Sequence, residues 1–335
     1  MIVLRRLASA LPVIAGVIVV TFLLTRALPG DPAVYFAGPA ATEQAIAEIR
    51  HQLGLDRSLP LQFLDYADRL LHGDLGTSIT TGQPVITDLL TRLPASAELT
   101  LLALFLAVTI ALPLGIAAAI RPGSPVDHIC RIVTTAGVTL PTFFTGLLLI
   151  YVFYYLLGIS PPPLGRLDIY ASVPPTRTGF YLIDSLLIGD FETFRAAFAQ
   201  LILPAATMAI FTLAPLARIT RAAMLGALGS EFVRTAKASG LARRQIVLVY
   251  ALRNAVLPVI TTLGVVFSFL LGANVLVEKV FAWPGVGSYA VDAVIASDYA
   301  PVQGFVLTMA LLYVLLNLLV DIAYGFVDPR LRLDA

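Results

Sequence analysis

Residues 99–120 read LTLLALFLAVTIALPLGIAAAI, twenty-two residues without a charge. A helix crossing the ~30 Å hydrocarbon core of a bilayer needs about 20 such residues. Five more windows are equally free of charge: 7–25, 132–157, 198–217, 254–277 and 299–320. None alternates with period two over about ten residues, which sets aside a transmembrane β-barrel. A backbone inside lipid must then satisfy itself as helix. The expected fold class is all-α: a polytopic membrane protein with six transmembrane helices.

Composition agrees. The 335 residues are 58% hydrophobic and 13% charged, against roughly 25% charged in globular domains. A net charge of +1 supplies no basic field for nucleic acid. The single cysteine, Cys130, excludes an intrachain disulfide and any multi-cysteine metal site.

Charge asymmetry orients the chain. With Arg5 and Arg6 inside, six spans also place 121–131, 218–253 and the tail 328–335 inside. Together with Arg5 and Arg6, these segments hold thirteen Lys/Arg and four acidic residues. The outer segments 29–98, 158–197 and 278–298 hold eight basic and sixteen acidic residues. The short inner segments carry the bias that fixes topology. The first window exceeds the 7–15 residues of a typical signal-peptide core, and no clear small-residue cleavage site follows Arg26. It is expected to remain as a span. The organisation expected is a first helix in 1–28, an extracytoplasmic subdomain 29–98, a five-helix core 99–327 with inner loop 218–253, and the tail 328–335. No internal repeat or low-complexity stretch is found.

Two connections exceed what a loop requires. In 29–98, the stretches 43–53 and 60–71 place apolar residues at helical spacing, and a third helix is expected near 85–93. Nine acidic and four basic residues there suit a face for something outside the membrane, or a lid on the spans. In 218–253, Ser230 is positioned to cap a helix from Glu231 to Ser239, with Gly240 just past its end. Phe232, Ala236 and Ser239 would then share one small face. A second helix from about Ala242 runs into the fifth span, where Pro258 is expected to kink it. A basic loop resting on anionic membrane lipid would explain the charge of this segment, but not the capped helix.

Several chemistries are missing. The only lysines, Lys237 and Lys279, follow Ala236 and Glu278, so neither completes a phosphate-binding Gly-Lys-Ser/Thr loop. There is no HExxH or GxSxG. His51 and His72 lie in the outer segment, and His128 lies beside Cys130 on a short inner loop that reads as solvated. Arg26 and Asp321 border spans. Polar residues within spans, Thr261, Ser268, Asn274 and Asn317, suit a pathway lining or helix–helix hydrogen bonds.

Glu231–Pro258, EFVRTAKASGLARRQIVLVYALRNAVLP, resembles the cytoplasmic "EAA" loop of permease subunits of binding-protein-dependent ABC importers, in particular the dipeptide/oligopeptide permease family. Further matches are Leu28–Pro32 (LPGDP), Leu53–Asp56 (LGLD), Gly73–Ser78 (GDLGTS) and Pro141–Gly146 (PTFFTG), which opens the third span. Tyr181–Leu187 (YLIDSLL), Phe281–Gly287 (FAWPGVG) and Asp298–Gly304 (DYAPVQG) complete the series. The generic glutamate six residues before the glycine is replaced here by Arg234. The resemblance implies a type I importer permease in the bacterial cytoplasmic (inner) membrane, with both termini cytoplasmic and no catalysis of its own. It also implies a second homologous permease subunit, two cytoplasmic ATPases that use ATP and Mg, and an extracytoplasmic solute-binding protein. The ATPase-docking residues it implies are Glu231, Phe232, Arg234, Thr235, Ala236, Lys237 and Gly240. Ser268, Asn274 and Asn317 are candidate pathway residues. Peptides are the implied solute, with nickel, glutathione or a sugar-like conjugate as the nearest alternatives and a secondary transporter as a remoter one.

Overall fold

The structure, a computed structural model, describes residues 2–27, 31–38, 41–169 and 171–327. The tail 328–335 and the start of the LPGDP stretch lie outside the described residues. Among the described residues fourteen helices follow in order: α1 Ile2–Ala27, α2 Pro32–Ala37, α3 Glu43–Gln52, α4 Leu59–Leu71, α5 Val85–Ile120, α6 Pro125–Thr139, α7 Thr142–Leu149, α8 Tyr181–Ile188, α9 Phe191–Leu228, α10 Glu231–Ala238, α11 Arg243–Gln245, α12 Leu252–Val280, α13 Val286–Ile295 and α14 Tyr299–Val327. Two π-helical stretches, Ile150–Leu156 and Ile246–Ala251, continue α7 and join α11 to α12. Extended pairing among the described residues is one isolated bridge, Thr77 to Pro84. The chain is all-helical, as expected.

Among the described residues four helices are long and apolar enough to cross a membrane, or five if α6 and α7 count as one broken span. The apolar stretch Leu11–Leu24 of α1 is shorter. This is consistent with six windows but corrects the third. Residues 132–157 do not form one straight helix, because α6 and α7 are bent by 108°. Leu140 takes an extended conformation (φ −90°, ψ 133°) before Pro141. The ring of a proline disfavours α conformation in the preceding residue and supplies no N–H. Pro258, by contrast, lies inside the continuous helix α12.

The chain divides into two compact units. The first comprises residues 1–96 and 284–315. Phe22 of α1 meets Phe63 edge-on and Tyr66 face-on, with centroids 5.3 and 5.8 Å away. Arg26 lies 4.4 Å over the Phe22 ring and donates to Gln62 Oε1. The border residue Arg26 is thus matched to α4. A third outer helix confined to 85–93 does not exist; Val85 opens the 36-residue α5. Its first turns pack Val85 and Leu89 on Val286 and Tyr289. Here GDLGTS and DYAPVQG converge. Buried Asp298 accepts from Ser78 Oγ (2.8 Å), Thr80 N (3.0 Å) and Thr80 Oγ1 (3.3 Å). Buried Asp88 accepts from Tyr289 Oη at 2.9 Å and Thr81 Oγ1 at 2.6 Å. Burial first, then the Asp88 carboxylate, pushes the Tyr289 phenol up and keeps it a donor.

The second unit comprises 97–283 and 316–335. Its centre is α9, with α6 and α12 against it. Small residues allow the close approach, as in helix pairs within lipid. A Cβ on Gly115 would lie 2.8 Å from Ala217 O, and one on Gly137 would lie 2.9 Å from Ile210 O. The connection before α8 is held by a buried ion pair, Arg166 Nη2 to Glu98 Oε2 at 2.7 Å. Arg166 also lies 3.4 Å over the Tyr181 ring and donates to Gly179 O. Buried Asp184, from the YLIDSLL stretch, accepts from the amides of Arg177, Thr178 and Gly179 and from Thr178 Oγ1. Burial alone would raise its carboxyl; these four donors hold it below the ordinary carboxylate range.

Candidate functional site

Only Gly229 and Ser230 separate α9 from α10. Ser230 has the extended conformation of an N-cap (φ −76°, ψ 158°) but makes no side-chain cap bond. Its hydroxyl instead donates back to Ala227 O. The expected capping position is therefore occupied, while the capping bond is not made.

The far end closes as a Schellman motif. Gly240 takes φ +76°, its amide donates to Lys237 O at 3.1 Å, and the Leu241 amide donates to Ala236 O at 3.2 Å. Leu241 also packs on the cluster of Val233, Ala236 and Ile246. This cluster corrects the expected face. Ala236 is buried with Val233, whereas Phe232 and Ser239 are exposed, because the returning chain covers the Val233 side of Ala236 with Leu241 and Ile246. Glu231, Phe232, Arg234, Thr235 and Lys237 are exposed. Phe232 is 42% exposed. Arg234 pairs with Glu231 at 2.8 Å across one turn.

Beneath α10 the loop is held at its edges. Arg243 donates to Ile120 O, near the end of α5. A cavity of about 560 Å³ is lined by Ile120, Leu225, Leu228, Lys237, Leu241 and Arg243, among others. The helix–glycine–helix unit therefore stands partly clear of the span ends and presents a cationic surface with one exposed aromatic.

The three candidate pathway residues stand in different settings. Ser268 donates to Gly264 O within its own helix. Asn274 is buried and donates to Thr100 Oγ1 of α5 at 3.3 Å. Asn317 is exposed on α14. Thr261 donates to Leu257 O, and the Asp321 side chain lies outside the described residues. The short inner loop also differs from expectation: 125–131 form the first turns of α6. His128 is exposed there, with Nδ1 2.9 Å from Ser124 O, while Cys130 is buried. Among the described residues no group of three or more His, Cys, Asp or Glu is placed to hold a metal ion. Sequence reasoning missed the buried carboxylates Asp88, Asp127 and Asp298. A signal existed for Asp127, the only acidic residue in the inner segment 121–131.

An all-helical chain rich in apolar spans, with a short basic helix closed by Gly240 at φ +76°, defines a polytopic membrane protein. Residues 111–333 match the family described as binding-protein-dependent transport system inner membrane component, and residues 1–100 match the N-terminal part of such membrane components. The chain belongs to this family, the multi-pass inner-membrane components of binding-protein-dependent ABC transport systems. It is 47% identical over 319 residues (95% of this chain, 94% of the relative) to the probable D,D-dipeptide transport system permease protein DdpB of Escherichia coli K12. It is 44% identical over 329 residues (98% and 97%) to the di/tripeptide transport system permease protein DppB of Pseudomonas aeruginosa. It is 38% identical over 337 residues (98% of each) to the dipeptide transport system permease protein DppB of Escherichia coli K12.

Proposed function

We propose that the chain is one of two homologous permease subunits of an ATP-driven importer of di- or oligopeptides. The similarity to peptide permeases along nearly the whole chain carries this reading. Two cytoplasmic ATPases use ATP and Mg, and the chain itself catalyses nothing. Their docking element is α10, with Phe232 as the buried anchor of the contact and Arg234, Thr235 and Lys237 around it. Aromatic and arginine anchors dominate such interfaces. Val233 and Ala236 act from behind by keeping the helix attached to Ile246. Gly240 sets the reversal that lets α10 project.

An extracytoplasmic binding protein delivers the peptide to the outer subdomain, whose residues 29–98 precede the core of spans. Both termini are cytoplasmic. Transport runs by alternating access, with ATP and the loaded binding protein preferring the outward-facing state, since a ligand shifts an equilibrium only by binding the two states differently. Ser268, Asn274 and Asn317 remain the candidates for contact with solute, and Asn274, buried against Thr100, needs rearrangement to serve.

The test is reconstitution of the chain with its partner subunits in liposomes and measurement of labelled-dipeptide uptake. Phe232→Ala is expected to lose ATPase co-purification and uptake together. Uptake of nickel, glutathione or a sugar conjugate in place of peptide would overturn the substrate. Full ATPase association by the Phe232 and Gly240 variants would overturn the docking site.

A further inference from the structure

Asp127 lies in the first turn of α6, behind the N-cap Ser124, and is completely buried. Gly123 N and Arg131 Nη2 each donate to its Oδ2 at 2.9 Å. Arg221 of α9 grips both oxygens, with Nη2 3.0 Å from Oδ2 and Nε on Oδ1. The Arg131 side chain is 59% exposed and that of Arg221 only 22%. The Arg131 contact is therefore screened and weak, and the Arg221 contact is the one that matters.

Stability alone does not account for this arrangement. Removing a carboxylate and a guanidinium from water costs about as much as their attraction returns, and an apolar pair often holds two helices equally well. Apolar packing is already present: Cys130 joins Leu216 and Ala217 in one cluster, and Gly137 seats against Ile210 and Ala214. What a two-point guanidinium–carboxylate contact adds is fixed geometry. It allows one translation and one rotation of α6 on α9, whereas a small-residue seam tolerates sliding.

Its position gives that geometry a use. Arg221 stands ten residues before Glu231, on the helix that leads through Gly229 and Ser230 into α10. At its other end, α6 turns through 108° into α7. We propose that Asp127 and Arg221 form a register clamp that passes movement of α10, received by the cytosolic end of α9, to the bent α6–α7 segment. Both are positioning residues. The inference rests on α10 being the ATPase-docking element.

The experiment uses the complete reconstituted complex with Asp127→Asn, Arg221→Lys and the exchanged pair Asp127→Arg with Arg221→Asp. ATPase co-purification, hydrolysis stimulated by loaded binding protein, and peptide moved per ATP are measured side by side. Asp127→Asn and Arg221→Lys are expected to keep co-purification and stimulated hydrolysis, while peptide per ATP falls about tenfold, the scale on which single residues between two coupled sites act. The exchanged pair is expected to recover part of that loss. A merely structural role would lower all three readouts together. An unchanged ratio, or a parallel fall in all three, overturns the clamp.

Failure of the docking reading is separate, because it shows as undiminished co-purification by the Phe232 variant. Should the charge variants not assemble, spin labels at His128→Cys and Ala222→Cys, in a Cys130→Ala background with the clamp intact, carry the test. Their separation is expected to change by less than about 2 Å between nucleotide-free and nucleotide-trapped states, the scale of a small helix shift. A larger or broadened change means that α6 slides on α9 and ends the proposal.

Discussion

Gly240 shows how a single residue can be required for its backbone rather than for its size. Nothing lies within 4 Å of where its Cβ would sit, yet its φ is +76°. An L-residue in that region costs about 1–2 kcal/mol. Gly240→Ala is therefore expected to loosen the end of α10 without any clash, with Gly240→Asn milder because asparagine tolerates the left-handed region. Hydrogen exchange at the Gly240 and Leu241 amides checks this, since both bond back into the last turn of α10. Protection equal to the parent in the alanine variant would refute it. Asp184 supplies a pH test with a defined sign. Its carboxyl is held below the ordinary value of 3.8 by the Thr178 hydroxyl and three amides, which outweigh the opposing effect of burial. A group whose pKa is depressed on folding stabilises above its unfolded value, and that contribution fades as pH falls through the folded one. Exchange protection at 177–179 is expected to be constant at neutral pH and to be lost only as pH falls through the folded value, which lies below 3.8. Loss of protection already between pH 5 and 7 would contradict this assignment.

At the scale of elements, two glycines of the α6–α9 region make opposite predictions. A Cβ on Gly137 meets the backbone carbonyl of Ile210 at 2.9 Å, and a backbone atom cannot rotate away. Gly137→Ala should force the helices apart and destabilise by about 1–3 kcal/mol, as overpacking does. Gly226, inside α9, has nothing within 4 Å. There the same substitution removes only conformational freedom from the unfolded chain and should stabilise by about 0.5–1 kcal/mol. Thermal unfolding of the two variants in the same detergent decides the matter; equal shifts would mean that the packing of Gly137 is not as described. These elements also mark how far a sequence can be read. Absence of charge located the long helices, because lipid selects for it directly. The bend at Leu140–Pro141 was written in the proline, yet uninterrupted hydrophobicity hid it, since composition is blind to direction. The buried face of α10 was missed for another reason: its helix of eight residues has too few apolar positions for spacing alone to choose between Phe232 and Val233. Only the return of the chain through Leu241 and Ile246 selects Val233.

For the whole molecule the sidedness of the membrane decides whether any of these elements can meet the partners proposed for them. The argument for it is electrostatic: thirteen Lys/Arg against four acidic residues in the segments assigned to the cytosol, eight against sixteen outside. Positive charge resists translocation, and the short loops count most. Long-range partnerships such as Asp127 with Arg221 or Ser78 with Asp298 were not legible, because nothing local in either segment specifies a residue 94 or 220 positions away. Charge bias, by contrast, is a sum over segments and survives without any knowledge of contacts. It yields a direct measurement. In a Cys130→Ala background, single cysteines are placed at Thr235 on α10 and at Asp65 on α4, both exposed. A membrane-impermeant maleimide added to intact spheroplasts is expected to label Asp65→Cys at once and Thr235→Cys only after the membrane is opened. Inverted vesicles should reverse the order. Labelling of both sites from the same side would remove α10 from reach of a cytoplasmic ATPase, whatever its shape, and the docking proposal and the clamp would fall together. Labelling from opposite sides leaves α10, through its junction with α9, as the cytosolic element with a short covalent route into the spans.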